Sequence, residues 1–143
     1  MTTFRDLQPL NYFGEEFTGV LRAVGWLGRD QDFETGRIGS EFYERLVALL
    51  ARPYQPIAFA GFHECEVCQF DGVCGAANLW VPADGFIMVC PELILHYINA
   101  HYYKPPEVFQ EAVMVCPDIA SREYKRAFLN NGGRLITKFR YGG

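Results

Sequence analysis

The sequence predicts a single α+β domain, a small mixed sheet of about five strands with three to four helices. Three observations carry this reading. The elements run strand, helix, strand, then a hairpin, then three helices and a closing strand, a segregated order rather than the regular alternation of a doubly wound sheet. The chain has 143 residues, of which 50% are hydrophobic and 15% aromatic, enough for one core without disulfide staples. No internal repeat, low-complexity tract or linker divides residues 1–143.

Residues 1–19 are rich in turn formers (Pro9, Asn11, Gly14), and their aromatics Phe4, Tyr12, Phe13 and Phe17 should tie the segment to the body. Val20–Leu27 reads as a strand and residues 28–39 as a loop. Ser40 suits the N-cap of a helix to about Ala51, with Phe42, Leu46, Leu49 and Leu50 at helical spacing, and Arg52-Pro53 ends it. Ile57–Phe62 is short, apolar and opened by Pro56, which favours a buried strand. Gly72–Gly75 reads as a turn. Ala77–Val81 and Phe86–Cys90 flank Pro82-Ala83-Asp84-Gly85, a hairpin signal.

Pro91 suits the first position of the next helix and Glu92 its positive end, with Leu93, Ile94, Tyr97 and Ile98 on the buried face and a stop near Ala100–Tyr103. Pro106-Glu107 restarts a helix to about Val115, with Val108, Phe109, Ala112 and Val113 inward. Ser121 caps a helix over Arg122–Leu129 that Asn131-Gly132-Gly133 closes, and Arg134–Phe139 reads as a final strand.

Charge narrows the function. Thirteen basic against seventeen acidic residues leave a net charge of −4, the opposite of a nucleic-acid footprint, so no nucleic-acid partner is expected. No apolar run reaches the ~18–20 residues of a membrane span, so no membrane partner is expected either. The first residues lack a basic segment followed by an apolar one, and the expected location is cytoplasmic. Five cysteines, an odd number, then read as reduced thiols rather than a disulfide framework. Cys90 and Cys116 follow apolar runs and are expected in the core, and Cys74 stands apart.

The candidate metal site is His63-x-Cys65-x-x-Cys68, joined by His96 and His101 about thirty residues later. Thiolate and imidazole are the donors that zinc takes in a tetrahedron, so Zn is the expected cofactor. Cys65 and Cys68 belong to every version of the site, with the other two donors drawn from His96, His101 and His63. Five residues apart on a helix, His96 and His101 diverge by roughly 140°, so they share an ion only if the helix loosens before His101. Otherwise His63, on the same face of an extended segment as Cys65, completes the set. The same residues also fit an idle reduced pair or a thioredoxin-like motif, though Glu64 and Glu66 beside Cys65 disfavour a reactive thiolate.

Four ordered segments, Tyr12-Phe13-Gly14, Val24-Gly25-Trp26-Leu27, Gly61 to Cys68, and His96 to Phe109, carry a resemblance. Over roughly residues 5–115 the chain resembles an uncharacterised family of small bacterial proteins, a domain of unknown function, with Gly-Phe-His-x-Cys-x-x-Cys and His-Tyr-Ile-x-x-His-x-Tyr-x-Pro-Pro motifs. The resemblance implies that His63, Cys65, Cys68, His96, His101, Pro105 and Pro106 belong to the family's pattern, and it implies no activity. No hydrolase, nucleotide-binding or deaminase motif is complete, and the catalytic residues stay unknown. The expected function is a zinc-stabilised protein-binding module, with a basic protein as partner and an immunity or inhibitor role as one concrete form. The alternative is a metal-dependent hydrolase using the Cys/His site with Glu64 or Glu66 as general base.

Overall fold

Strand β5 (Ile87–Pro91) is the spine of the molecule. Every one of its five residues is buried, and the same holds for β4 (Asn78–Pro82), its antiparallel hairpin partner. The computed structural model describes residues 3–58, 62–68 and 74–140, with the side chains of 139 and 140 excepted. On the other side of β5 lies β1 (Leu21–Ala23), parallel to it, with Leu21 opposite Ile87 and Ala23 opposite Val89. This gives a three-stranded mixed sheet in the order β1-β5-β4. A second, two-stranded sheet pairs β2 (His63–Glu64) with β3 (Cys74–Gly75) antiparallel. The α+β class is as the sequence predicts, with the strands divided between two sheets.

The expected strand over Val20–Leu27 is shorter, because the chain leaves the sheet after Ala23 through Val24 and Gly25, the latter at φ +76°. Trp26 follows fully buried, its indole N–H donating to the Val89 carbonyl at 2.9 Å. The N-terminal segment is held by more than its aromatics. Leu7 and Leu10 donate to the carbonyls of Ala23 and Leu21, and Ala23 donates to the Gln8 carbonyl, so the segment lies antiparallel along the free edge of β1.

The helices cover the sheet. Helix α1 (Ser40–Leu50) buries Phe42, Leu46 and Leu49 as its periodicity predicts, but its cap is Gly39 in extended conformation rather than Ser40. Helix α3 (Glu107–Val115) packs on α1 with Phe109 edge-on to Phe42. Val108, expected inward, is 39% exposed, because the buried stripe runs through Phe109, Ala112 and Val113. Cys90 and Cys116 lie in the core and Cys74 is exposed. Helix α4 (Arg122–Phe128) starts at Ser121, whose hydroxyl oxygen accepts from the Tyr124 N–H at 3.1 Å, the expected cap. Its Tyr124 hydroxyl donates to the Trp80 carbonyl, fixing the helix to β4.

Three further expectations are corrected. Pro91 does not open a helix: it is the last residue of β5, opposite Asn78, where its missing N–H costs the ladder least. Helix α2 (Ile94–His101) begins after it. Cys74 and Gly75 form β3 rather than a turn, while 72 and 73 lie outside the described residues. The closing segment is a helix, α5 (Arg134–Arg140), continuous with α4 through a kink over Leu129–Gly133. Gly132 permits that kink at φ +122°, with its Cα side against Val20, where a Cβ would stand 2.8 Å from the valine Cβ. The expected buried strand Ile57–Phe62 falls partly on residues 59–61, outside the described residues; Ile57 and Ala58 are irregular and Phe62 is 73% exposed. Among the described residues no helix is long and apolar enough to cross a membrane.

Candidate metal centre

Two pieces of chain build the site. The first is the loop leaving β2, which carries Cys65 and Cys68 with two residues between them. The loop is fixed on one side by the β2–β3 ladder and on another by Arg29, whose Nε donates to the Glu66 carbonyl at 3.3 Å. The second is α2, held against the small sheet by Glu92. Its carboxylate, expected at a helix N-terminus, instead accepts the N–H groups of Ala76 at 2.5 Å and Ala77 at 3.2 Å. Gly75 allows this approach, since a Cβ there would meet Glu92 Cγ at 2.4 Å.

Across this junction the side chains converge. Cys68 Sγ lies 3.0 Å from His96 Nε2 and 3.3 Å from His101 Nε2, and Cys65 Sγ lies 3.4 Å from His101 Nε2. All four donor atoms fall within 4.8 Å of one another, and all four residues are half-buried. Helix α2 does not loosen before His101, as sharing seemed to require. It persists to His101 and turns left-handed only at Tyr102 (φ 56°). The length of the imidazole arms closes the remaining divergence, leaving the two rings 5.1 Å apart and nearly perpendicular.

Donors bound to one tetrahedral zinc at about 2.0–2.3 Å lie roughly 3.3–3.8 Å from each other, so the observed contacts have the scale of a ligand shell. Hydrogen bonding accounts for them less well. Cys68 has one thiol proton, yet its sulfur faces two ring nitrogens at 3.0 and 3.3 Å. A cation among the four donors meets every lone pair at once. The electrostatics agree with a ligand role. Burial, followed by the neighbouring His101, holds the His96 imidazole below its ordinary pKa, which keeps it in the neutral, ligating form. Burial and the adjacent Cys65 push the Cys68 thiol up, so without a metal its proton is retained.

His63 is elsewhere. It is buried at 7% exposure, and its Nε2 shares a 3.2 Å hydrogen bond with the Tyr12 hydroxyl, with the Trp26 ring edge-on at 5.4 Å. Burial lowers its pKa, so it sits there as a neutral aromatic spacer beneath the loop.

A family model, Domain of unknown function (DUF7919), matches residues 2–114. The chain belongs to the DUF7919 family. The match takes in β1 to β5 and α1 to α3 up to residue 114, and with them all four converging donors. Helices α4 and α5 lie beyond it. Nothing among curated proteins or solved structures matched the chain. For this DUF7919 domain, therefore, the site itself carries the chemistry: a Cys/His cluster able to hold a metal ion.

Sequence reasoning missed the supports of the cluster. Tyr12 reaches His63 across 51 residues and Arg29 reaches Glu66 across 37, with no sequence signal for either. Tyr97, read as a core residue, is fully buried, and among the described residues its hydroxyl has no hydrogen-bond partner. Burial raises its pKa first, and the negative charge of Cys65, Glu66 and Cys68 adds to it, so this hydroxyl stands within electrostatic reach of the thiols.

Proposed function

We propose that this domain is a zinc-stabilised protein-binding module. Cys65, Cys68, His96 and His101 hold one zinc that clamps the loop after β2 onto α2. The observation that supports it is the donor set: four protein atoms lie within 4.8 Å of one another, the number a tetrahedral zinc takes, so an ion held by all four has no position left for a reacting water. That favours a structural ion over the hydrolase alternative, which needs three ligands and an open site. The partner class follows from charge. A chain at −4 attracts basic proteins and associates with them faster at low ionic strength. An immunity or inhibitor protein that covers a basic toxin is one form such a module takes.

Native mass spectrometry of protein purified without chelator tests the ion, and one zinc per chain is the expected result. In a pull-down, the zinc-loaded chain should hold a basic partner at low salt and release it at high salt. It should turn over no ester, amide or phosphoester substrate. Metal-dependent hydrolysis that Glu64→Gln or Glu66→Gln abolishes would replace this reading with the enzyme.

A further inference from the structure

We infer that the Cys65–Cys68 pair makes this zinc clamp releasable by peroxide: oxidation joins the two sulfurs, and the metal leaves. The inference rests on the zinc reading above and names a regulation of the same site.

The cluster sets these two cysteines apart from the other three. Their sulfurs lie within 4.8 Å of each other, on a loop whose two-residue spacing lets a disulfide close by local rotation. Both are half-buried, within reach of a small oxidant. As zinc ligands both are thiolates, the form that peroxide attacks. Cys90 and Cys116 are 0% and 4% exposed, and burial pushes the Cys116 thiol up to about 11, so they stay inert. Cys74 is exposed, but the β2–β3 register sets it opposite Glu64, with which it shares the outward face of the ribbon.

The chemistry balances with hydrogen peroxide as the only added reagent besides solvent protons. One thiolate sulfur attacks a peroxide oxygen, the O–O bond breaks, and the departing hydroxide takes a proton to leave as water. The resulting sulfenic acid is attacked by the second thiolate, the S–S bond forms, and a second hydroxide leaves as water. Two electrons pass from sulfur to oxygen. The zinc is left with two imidazoles and dissociates. The loop keeps its other ties, namely the Tyr12–His63 hydrogen bond, the Arg29 contact to the Glu66 carbonyl and the β2–β3 pairing. Oxidation therefore frees the end of α2 from the loop and leaves the core folded.

The experiment titrates the zinc-loaded full chain, wild type and Cys74→Ser, with hydrogen peroxide up to one equivalent. It reads zinc release with a chromogenic chelator, thiols in denaturant, and peptide masses. Both proteins should lose their zinc in proportion to peroxide. The wild type should go from five titratable thiols to three, and the peptide spanning 65–68 should become lighter by two hydrogens. Dithiol reductant with added zinc should restore the starting state, and hydrogen exchange should rise in α2 while the β4–β5 amides stay protected. Protein that holds no zinc before oxidation overturns the zinc reading and this inference together. Zinc that is present and stays bound, or leaves with a sulfinic acid or a Cys74 disulfide in place of the 65–68 bridge, overturns the inference alone.

Discussion

Asp6 joins two parts of the chain that are far apart in sequence. Both of its carboxylate oxygens accept from the Tyr103 hydroxyl at 2.8 Å, and Oδ1 also accepts from the Gly25 N–H at 3.0 Å. Burial raises its pKa above 3.8, against the opposing pull of those two donors. A carboxyl with a higher pKa folded than unfolded takes up protons on folding. Its contribution to stability therefore grows as pH falls through the folded value and is smallest at neutral pH. Asp6→Asn should remove that component, so urea titrations between about pH 4 and pH 7 should show the wild type gaining stability relative to the variant as pH falls. Equal pH slopes would deny Asp6 this role. Tyr103→Phe should cost about 1–3 kcal/mol, because it strips a half-buried carboxylate of one donor. The measurement is the urea midpoint at neutral pH, with the m-value unchanged.

At the scale of elements, the kink between α4 and α5 gives the sharpest test. Gly132→Ala places a side chain at φ +122° and within 2.8 Å of Val20 Cβ, so something must move. The expected loss is about 1–3 kcal/mol, read as a lower urea midpoint. A midpoint equal to wild type would mean that the kink relaxes freely. The same kink explains why Arg134–Phe139 reads as a strand in the sequence. Its run of Leu, Ile and Thr has strand propensity, and Asn-Gly-Gly before it looks like a full stop. Only the tertiary position of Gly132 against Val20 reveals a bend instead of an end. Helix α1, the β4–β5 hairpin and the Ser121 cap were legible because their signals are local: an apolar repeat, a four-residue turn, a hydroxyl three residues before its N–H. The site was legible in its membership but not in its assembly. Cys-x-x-Cys with two later histidines named, among five candidates, the four residues that the structure brings together. What seats His63 against Tyr12 and Trp26, outside the cluster, is packing across 51 and 37 residues, on which sequence spacing is silent.

For the molecule as a whole, the proposed zinc clamp and the core are two sources of stability that meet in α2. The core is built from β1, β5 and β4 with α1, α3 and α4, and α2 joins it through Ile94, Tyr97 and Ile98 while lending His96 and His101 to the cluster. Zinc-finger peptides gain an apparent ~10–16 kcal/mol from their ion because they have no other core, and this chain should lose only part of its fold without it. Cys65→Ser should abolish stoichiometric zinc, lower the melting temperature and leave far-UV dichroism largely intact, and a chelator added to wild type should reproduce that state. Cys90→Ala should keep its zinc and cost about 1 kcal/mol, the cavity cost of a small buried side chain. Identical melting curves for Cys65→Ser and wild type would remove the structural role of the ion.

The parallel pairing of β1 with β5 has a consequence for how the protein is born. Leu21 meets Ile87, a separation of 87 − 21 = 66 residues. At about 5–20 residues per second a ribosome needs roughly 3–13 s to synthesise that interval. Throughout it the nascent Leu21–Leu27 segment, apolar and bound for the core, waits without its strand partner. The antiparallel N-terminal segment, whose Pro9 pairs with Arg22, is already available and covers one edge of that strand from the start. Residues 4–10 are thus placed to shield that edge during translation, and a nascent chain lacking residues 3–10 should engage ribosome-associated chaperones more heavily than the full-length chain.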